Sequence, residues 1–508
     1  MGFYSAYLVA DDVDVITKAA GSDQAFRWSS DAKGEFTIAP ADRQERGTAV
    51  VLHLKEEQKE LLNDWRLRNL INRYSDFVGH PIELKVERTE GEGDEATTEV
   101  SFEAVNKAKA LWRRSSQEVT DEQYEEFYKH LTHDWEPPLG HTHFKIEGTQ
   151  LFTGLFFIPK RPPFDLFDQD KRHGVRLYVK RVFIMDDCDD LLPRWLRFMR
   201  GVIDSDDLPL NVSRELLQDS SMVRTIRKQV VRKSLDLLET IASERPEDYK
   251  EFWDKYGVVI KEGLHQEPKY KERIAKLLRY ENSKEEGLTS LEAYLERMPF
   301  SQPAIYYAMG PSRRTVESSP HLEELKKRGY EILYMTDPID QWVVQGLTEF
   351  NDKPLVSAMA TDLKLDDGED EEGQEKDNAE EVGLGGLTAR FTSVLDEKVS
   401  EVRVSKRLTD SPVCLVIPDG GLHAHIERML RFNNQEMPTQ KRIMELNPGH
   451  TLISGLKAIH DGAPESDQVT EWIELLYDQA LLAEGSPIDD PGLFAGRMTR
   501  LLEQAIAT

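Results

Sequence analysis

Cysteine is almost absent from this chain of 508 residues, which contains only Cys188 and Cys414. Two thiols so far apart offer neither a disulfide framework nor a cysteine zinc site, and they are typical of a reducing cytoplasm. No apolar run reaches the roughly 20 residues that a bilayer-spanning helix needs. The opening "MGFYSAYLVA" lacks the basic leader of a secretory signal and meets the acidic "DDVDV" at once. These features predict cytoplasmic localisation and no membrane partner.

Positive charge is also in deficit. The 65 Lys and Arg residues stand against 93 Asp and Glu residues, which leaves a formal net charge of −28. A nucleic-acid-binding surface needs clustered cations to neutralise phosphates, so this balance predicts no nucleic-acid partner. Hydrophobic residues make up 39% of the chain, as in globular proteins, and the length predicts several domains.

Several common catalytic motifs are missing. The sequence contains no Walker P-loop, no nucleophile elbow and no HExxH zinc motif. The "VGLGG" at 382–386 has no Lys-Ser or Lys-Thr after it, which favours a linker over a phosphate loop. His141 and His143 share one face of a predicted strand, as the start of a metal site or as ordinary half-buried histidines. No further ligand lies at suitable spacing, so no metal site is predicted.

Composition and periodicity divide the chain into five segments. Residues 1–86 open with a helix, continue with four strand-like runs that suggest an antiparallel meander, and end with an amphipathic helix. Residues 87–99 are charged, lack aromatics and are predicted to form a flexible linker. Residues 363–386 include a second acidic tract and are predicted to be another mobile joint. The segments 100–362 and 387–508 are predicted domains.

The two later domains mix strands and helices. Thr120 and Gln123 form a predicted capping box for the helix "DEQYEEFYKHL". Between 303 and 362, the order strand, helix, strand, helix, strand predicts a small parallel α/β unit. The last segment has two predicted strands, "EVRVSKR" and "SPVCLVIP", among helices. The whole pattern predicts a multidomain α/β (α+β) protein.

The stretch "DLPLNVSRELLQDS" at 207–220 is a candidate anion site. Asn211 and Ser213 are good N-cap residues, so Arg214 falls in the first turn of a predicted helix. An arginine there opposes the helix dipole unless an anion also binds. One hypothesis is therefore a phosphate-sensing Arg214 supported by Asn211 and Gln218. The alternative is a surface salt bridge from Arg214 to Asp204, Asp206 or Asp207.

The loop "KRPPFDLFDQDKRHG" at 160–174 is a candidate protein-binding patch. Phe164, Leu166 and Phe167 lie between two prolines and a run of charges. Apolar side chains in such a loop either pack onto the protein's own core or stay exposed as an adhesive surface for another protein. Both alternatives remain open on the sequence.

The final two helices carry broad apolar stripes that predict self-association. Two short amphipathic helices at a chain end half-bury their stripes on their own domain, and a two-fold copy completes a four-helix bundle. The alternative is that both helices fold fully onto the strands at 401–418. The predicted dimer residues are Trp472, Leu475, Leu476, Leu481, Leu482, Leu493, Phe494, Met498, Leu501 and Leu502.

A series of short segments then identifies a family resemblance. The chain contains, in order, "GFYSAYLV", "GTAVVLHL", "PPFDLF", "LYVKRVFIMDD", "DLPLNVSREL", "AKLLRY", "SLEAYLERMP", "IYYAMG", "YEILYMTDPIDQW", "RLTDSP" and "LLYDQALLAEG". Together they resemble bacterial members of the heat-shock protein 90 family, over the whole chain and most specifically in its middle block. The resemblance implies an ATP-dependent molecular chaperone that works as a clamp-like homodimer.

The same resemblance implies a nucleotide site of which little is present. In the family, "GFYSAYLV" follows the glycine motif that closes the lid of a GHKL-type ATPase domain. We therefore expect residues 1–86 to be the later part of that domain, from a truncated gene or a misplaced start. Gly2 and Phe3 match the end of the lid motif, Thr48 matches a threonine near the adenine, and Arg214 matches the arginine that reaches the γ-phosphate. ATP hydrolysis with Mg²⁺ is expected of the longer parent, and no measurable ATP binding of this chain alone.

The resemblance also implies partners. Phe164, Leu166 and Phe167 match the loop that contacts unfolded or partly folded client proteins, and other chaperones are further expected partners. The ending "EQAIAT" lacks the acidic pentapeptide of eukaryotic cytosolic members, which supports a bacterial form. Two competing hypotheses remain: a passive dimeric client-holding module, and a topoisomerase or mismatch-repair ATPase with the same nucleotide fold. The net charge of −28 argues against the last of these.

Overall fold

A computed structural model describes residues 2–90, 97–148, 150–168, 174–208, 221–361, 363, 383–418 and 440–507 of the chain. The chain forms two compact units, Met1–Ile241 and Ala242–Thr508. Helices and several separate sheets occur in both, which confirms the predicted mixed α/β, multidomain class. The five predicted segments stay a prediction about domains.

The first unit begins with a 3₁₀ helix (Gly2–Leu8) and an antiparallel sheet of four strands in the order β3-β2-β1-β4. The strands are β1 (Ala10–Lys18), β2 (Ala25–Ser30), β3 (Thr37–Ala41) and β4 (Gly47–Leu54). The pairing is antiparallel as predicted, but β4 pairs with β1 and not with β3. The meander prediction is wrong at this point, because β1 is the longest strand and has apolar partners on both sides. A 3₁₀ turn (Glu56–Leu62) and helix α1 (Asp64–Tyr74) follow.

The two faces of this sheet differ in chemistry. On one face, the buried carboxylate of Asp14 accepts hydrogen bonds from Arg27, Ser29 and His53. These hydrogen bonds hold the pKa of Asp14 well below its usual range, and the one from Arg27 has the largest effect, followed by those from Ser29 and His53. The opposite face is apolar, and much of it is open to solvent. Its exposed members include Phe26, Ile38, Val50 and Leu52.

The predicted linker at 87–99 is partly a hairpin. Strands β5 (Glu83–Glu90) and β6 (Thr97–Ala104) pair antiparallel in regular register, so 87–90 and 97–99 are strand residues and the linker prediction is wrong for them. The β-branched residues of "TTEV" at 97–100 favour an extended backbone over a flexible one. Residues 91–96 lie outside the described residues.

Asn106 closes the base of this hairpin. Its side-chain oxygen accepts a hydrogen bond from the Ile82 amide (2.7 Å), and its side-chain nitrogen donates to the carbonyls of His80 (2.9 Å) and Val78 (3.2 Å). The Lys107 amide donates to the Asp76 carboxylate at 3.0 Å. These hydrogen bonds hold the two ends of the hairpin together.

The rest of the first unit is a five-stranded sheet in the order β10-β9-β11-β8-β7, with helix α2 (Asp121–Thr132) beside it. Thr120 and Gln123 cap α2 reciprocally, which confirms the predicted capping box. The run "VRLYVKRVFIMDD" is split into two strands by a turn at Lys180 and Arg181, both at positive φ. The strands are β7 (Gly140–Ile146), β8 (Phe152–Ile158), β9 (Val175–Val179), β10 (Val182–Cys188) and β11 (Arg200–Ser205).

An aromatic cluster forms the core of this region. The rings of Phe77, Phe127 and Tyr178 all lie within 6 Å of the ring of Trp112, which is fully buried. Phe77 comes from the segment before the hairpin, and the others come from residues after it. Burial of four large rings in edge and tilted contacts makes this cluster a major source of the region's stability.

His143 is held inside the same region as a neutral side chain. Its Nε2 lies 3.0 Å from the carbonyl oxygen of Trp112 and its Nδ1 lies 2.7 Å from the Tyr124 hydroxyl. Nε2 therefore carries the proton and Nδ1 accepts. His141 packs its ring on Tyr124 at 4.0 Å. The half-buried alternative for these histidines is confirmed, and burial lowers the pKa of His143.

Helix α3 (Ser221–Glu244) begins in the first unit, and the second unit continues with α4 (Pro246–Gln266), α5 (Lys271–Leu277) and α6 (Leu291–Arg297). The predicted parallel α/β unit follows and is confirmed, because β14 (Ile305–Met309) pairs parallel with both β15 (Ile332–Met335) and β17 (Lys353–Ser357). Their sheet has the order β13-β12-β15-β14-β17-β16. Its other elements are β12 (Tyr280–Asn282), β13 (Leu288–Thr289), β16 (Glu349–Phe350), α7 (Arg313–Glu317), α8 (Glu323–Lys327) and α9 (Asp340–Gly346).

The C-terminal part of the second unit contains a three-stranded sheet. Strand β18 (Val399–Val404) pairs parallel and β19 (Val413–Val416) antiparallel with the central strand β20 (Arg442–Leu446). The sequence predicted only the two outer strands, because the five residues of β20, which include Arg442 and Glu445, are too few to show a period. The helices are α10 (Gly385–Val394), α11 (Thr451–Gly462), α12 (Asp467–Glu484) and α13 (Pro491–Ala507).

The last two helices are buried very differently. Leu476 and Leu481 of α12 lie in the apolar core with the three-stranded sheet, Trp472 packs against that core, and Leu475 is also buried. These α12 side chains are therefore core residues, which corrects the prediction that they form a surface for a partner. The spacing of apolar residues along a helix is the same whether they pack in the core of their own domain or bind a partner. The sequence pattern therefore does not distinguish these two roles. Exposed apolar side chains remain at Leu482, Leu493, Met498 and Leu502.

A buried arginine, Arg407, and a half-buried one, Arg403, join the sheet to residues that precede the second acidic tract. Arg407 donates to the Glu445 carboxylate (3.0 Å) and to the carbonyls of Ala358 (3.0 Å) and Ala360 (2.8 Å). Arg403 donates to Glu445 and to the Thr361 carbonyl, both at 2.7 Å. Residues 364–382 lie outside the described residues. The chain on both sides of that tract is thus attached to the same small sheet.

The closed base predicts that the hairpin can be shortened. In the shortened variant, Asn-Gly replaces residues 85–102. Leu84 and Glu103, which face each other across the hairpin, are then joined by a two-residue turn. We expect a thermal midpoint within about 3 °C of the parent, since the deletion leaves Asn106 and the aromatic cluster intact, and less than 1 kcal/mol shifts a midpoint by a few degrees. Differential scanning calorimetry is the measurement. As a control, Asn106→Ala leaves backbone groups at the base unpaired and should lower the midpoint more. Loss of folding in the shortened chain would contradict the closed base.

The lowered pKa of His143 predicts a pH dependence. The folded state resists protonation of this ring, so unfolding binds a proton between the lowered folded pKa and the ordinary value near 6.5. The free energy of unfolding should therefore fall as pH decreases below about 6.5. His143→Gln keeps hydrogen-bonding groups but cannot titrate there, and its urea midpoint should fall less between pH 7 and 5. Equal slopes for the two proteins would contradict the assignment.

Candidate functional site

The loop at 160–168 divides its apolar residues between core and solvent. Leu166 is buried, whereas Phe164 is 98% exposed and Phe167 is 63% exposed. Both alternatives that the sequence left open are therefore realised in one loop: Leu166 anchors it and the two phenylalanines face water. The remainder of the predicted loop, 169–173, lies outside the described residues.

Arg197 holds the loop in place. Its side chain is buried, and its Nε donates a hydrogen bond to the Leu166 carbonyl at 2.7 Å. The same guanidinium lies 5.8 Å from the centre of the Phe167 ring, within reach of a cation–π contact. Pro163 adds a turn, since its carbonyl accepts from the Leu166 amide at 3.1 Å. A buried cation and a tight turn thus fix the backbone from which Phe164 projects.

Trp135 is a second exposed aromatic residue that the sequence analysis missed. It is 85% exposed, in the segment after α2, which ends at His133 in the left-handed conformation. The next residue, Glu136, forms a salt bridge with Arg161 of the phenylalanine loop, so the two loops lie side by side. The local sequence "HDWEPP" predicts a turn but does not show whether its tryptophan is buried or exposed. We call Trp135, Phe164 and Phe167 the aromatic surface.

The candidate phosphate-sensing residues cannot be placed. Asn211, Arg214 and Gln218 all lie in 209–220, outside the described residues. The carboxylates that were alternative partners for Arg214 do have described partners. Arg113 binds Asp204 (2.7 Å) and Asp206 (2.7 Å), and the Asp207 carboxylate accepts from the Leu151 amide at 2.6 Å. The hydrogen bond from Arg113 lowers the pKa of Asp206.

The three residues expected near a nucleotide lie in the opening 3₁₀ helix and in the first sheet. Gly2 begins the opening 3₁₀ helix, and the ring of Phe3 lies 5.7 Å from that of Trp28 on β2. Thr48 on β4 faces Thr17 on β1, with their hydroxyls 2.8 Å apart. Trp28 and Thr48 lie on the same apolar sheet face, because Val15, two residues before Thr17, is paired with Trp28. The structure thus brings Phe3 and Thr48 to one face of one sheet.

Metal and membrane features were sought in the part of the chain that the structure describes. No cluster of three or more His, Cys, Asp or Glu side chains there is suited to hold a metal ion. None of the helices described has the length and apolar character to cross a bilayer. Both thiols are free and buried, and burial raises the pKa of Cys188 to about 12, which makes it an unreactive thiol.

Comparisons with known proteins agree with these features. The family model described as "Hsp90 protein" matches residues 92–508. The chain is 62% identical over 510 residues to "Chaperone protein HtpG" of Myxococcus xanthus, which covers 100% of this chain and 78% of the relative. It is 46% identical to the protein of that name from Bordetella avium and 45% identical to the one from Chromobacterium violaceum, over 99% of this chain and 79% of each relative. The chain therefore belongs to the Hsp90 family of chaperones.

Proposed function

We propose that this chain serves an ATP-driven clamp cycle in which a homodimer binds unfolded or partly folded client proteins and releases them as ATP is bound and hydrolysed. The proposal rests on the aromatic surface of this chain. Trp135, Phe164 and Phe167 are exposed to solvent, on loops that are held by Arg197 and by the Arg161–Glu136 ion pair. Large exposed aromatics on a rigid scaffold are suited to bind apolar segments of many sequences.

The geometry supports a role of this surface in client binding. An unfolded chain exposes apolar side chains, and burying them against three rings removes apolar area from water on both partners. Leu166 is buried in the protein's own core and contributes by anchoring the loop rather than by touching a client. This replaces the expectation that all three apolar residues of the loop contact clients.

We assign residues 1–86 to the ATP-binding part of the protein. The apolar sheet face that carries Thr48 and Trp28 is open to solvent at Val50 and Ile38, as expected of a surface that packs against further residues. Paired hydroxyls at Thr17 and Thr48 retain lone pairs for a further ligand or water. When bound, ATP with Mg²⁺ would supply the phosphate that is hydrolysed. The described residues offer this group one face of a site, and they include no cluster of three or more His, Cys, Asp or Glu side chains suited to hold the metal.

Arg214 is proposed to contact the γ-phosphate, with Asn211 and Gln218 in support. The carboxylates considered as alternative partners, Asp204, Asp206 and Asp207, accept hydrogen bonds from Arg113 and from the Leu151 amide. A cation beside a phosphate that gains charge in the transition state lowers the barrier to hydrolysis. In this proposal Arg214 stabilises that charge and reports the nucleotide to the rest of the chain.

The dimer is proposed to form through the final helix. Leu493, Met498 and Leu502 expose apolar surface there, and Phe494 and Leu501 are half-buried beside them. A second copy related by a two-fold axis brings the same side chains against each other. Other chaperones are proposed as further partners, and two buried thiols are consistent with a cytoplasmic location.

The role of Arg214 is tested in a chimera. Joining the part of the M. xanthus relative that this chain does not match ahead of residue 1 should give measurable ATP hydrolysis. Arg214→Ala in that chimera should then reduce the turnover rate by roughly 10²-fold, on the scale of losing one electrostatic stabiliser, with nucleotide affinity little changed. A coupled ATPase assay and calorimetric titration provide the two readings. Unchanged turnover would return Arg214 to a salt bridge.

The aromatic surface is tested by its own variants. Trp135→Ala and Phe164→Ala should each weaken suppression of aggregation of a chemically unfolded protein by about threefold or more, since losing one buried aromatic contact costs about 1 kcal/mol. Both side chains are exposed, so the thermal midpoint should not change. The matched control is Phe300→Ala, because Phe300 is fully exposed but lies outside the aromatic surface. Light scattering measures the effect, and an equal loss in the control would contradict a specific surface.

A further inference from the structure

A cavity in the second unit lies where the parallel strands of the small α/β unit end. Strand β14 is the first of the three parallel strands in chain order, and it pairs with β15 on one side and with β17 on the other. The chain therefore reverses its direction of winding at β14. In open α/β sheets, ligands bind at such a reversal, in the crevice outside the carboxyl ends of the strands. Met309 ends β14 and Met359 follows β17, and both line this cavity.

The walls of the cavity come from two parts of the second unit. In the α/β unit, Val316 of α7 lies close over Gly310, where an added Cβ would come within 2.7 Å of the valine side chain. The other wall is formed by Leu415 of β19 and by Ala483 near the end of α12. Leu415 is buried and Ala483 is exposed, which places Ala483 at the mouth. The space between the walls is about 420 Å³, a volume that includes the open mouth.

Polar side chains in the wall include Ser319 and Glu484. Ser319 is 5% exposed, and its hydroxyl has no hydrogen-bond partner among the residues that the structure describes. A buried hydroxyl without a partner is unfavourable, so this position favours a ligand that supplies one. The Glu484 side chain is also buried, and its carboxylate accepts hydrogen bonds from Arg442 (2.9 Å) and from the Ser486 hydroxyl (2.6 Å). A carboxylate has about four acceptor positions, so Glu484 retains capacity for a further donor.

The charges in the wall favour an uncharged ligand. Glu484 repels an anion, and Arg442 already balances its charge, so burying a cation there brings little gain against the loss of hydration. The rest of the lining is mainly aliphatic side chains and the two methionines, which adapt their shape to a bound apolar group. The wall therefore suits an apolar body that carries one hydrogen-bonding group.

We propose that this cavity binds an uncharged molecule with a small apolar body and one hydroxyl group, an alcohol or a phenol, whose hydroxyl is held by Ser319 and Glu484. The inference uses none of the residues assigned to client binding, nucleotide binding or dimer formation, so it stands or falls separately from them. A ligand in this position touches both the α/β unit and the C-terminal sheet. Because it binds only when these two walls are together, it stabilises their packing.

The test uses phenol as the probe and the methionines of the full chain as reporters. The chain contains 12 methionines, which are isotopically labelled at their methyl groups and observed by nuclear magnetic resonance. Phenol should shift the Met309 and Met359 resonances saturably, with a dissociation constant in the millimolar range, and should leave exposed methionines such as Met498 unchanged. Met309→Leu and Met359→Leu assign the two resonances, since each variant loses one of them.

Toluene tests the hydroxyl group, because it carries a methyl group in its place. It should bind the parent protein about fivefold more weakly than phenol, as expected for the loss of one hydrogen bond, about 1 kcal/mol. Ser319→Ala should reduce this preference to about twofold. The matched control is Ser454→Ala, because Ser454 is an exposed serine of α11 outside the cavity, and it should leave the preference unchanged. Ala483→Phe should weaken both ligands about tenfold or more by covering the mouth.

Every result bears on the proposal. A phenol preference that falls in Ser319→Ala and persists in Ser454→Ala supports it. A parent protein without saturable shifts at Met309 and Met359 overturns it, as do equal shifts at methionines throughout the chain. Equal affinities for phenol and toluene in the parent overturn the role of the hydroxyl group. Circular dichroism establishes that each variant is folded, and if Ser319→Ala is not, the comparison of phenol with toluene in the parent and in Ala483→Phe decides the outcome.

Discussion

Buried polar side chains that hold neighbouring backbone in place are the constraint on which the rest of this structure depends. Glu445 and Arg407 tie the C-terminal sheet to the residues before the second acidic tract, and Asn106 closes the base of the hairpin. Each satisfies groups that would otherwise be buried unpaired, so loosening one of them is costly. Strong local fixation of this kind lets apolar side chains stay in water without collapsing onto the nearest core.

That freedom is what an Hsp90-family chaperone requires. Its chemistry needs apolar surface that other chains can reach, and water normally drives such surface inward. Arg197 holds the loop from which Phe164 projects, through its hydrogen bond to the Leu166 carbonyl. The guanidinium of Arg197 also lies 5.8 Å from the centre of the Phe167 ring. The surface proposed to bind clients thus depends on its polar supports as well as on the residues that it exposes.

Prediction from sequence succeeded where the signal was local. The capping box at Thr120 and the parallel unit at 303–362 follow from short-range patterns, and the family follows from ordered segments. It failed where a choice between distant partners was needed. The pairing of β4 with β1 and the central position of β20 depend on which strands meet across long sequence separations. Trp135 was missed because exposure of an aromatic residue is not encoded in its immediate neighbours.

The sequence by itself determined the family, the mixed α/β class and the apolar character of the loop at 160–168 and of the last two helices. Only the tertiary structure decided which of those apolar residues are core and which are surface. Leu166 and Leu476 are buried, while Phe164 and Leu502 are exposed, although Phe164 and Leu166 share one loop and Leu476 and Leu502 lie on successive amphipathic helices. The physical reason is that hydrophobic burial is non-directional. The pattern of apolar residues in the sequence indicates how much apolar area favours burial. Which residues bury it depends on the packing of the whole chain, including its buried arginines.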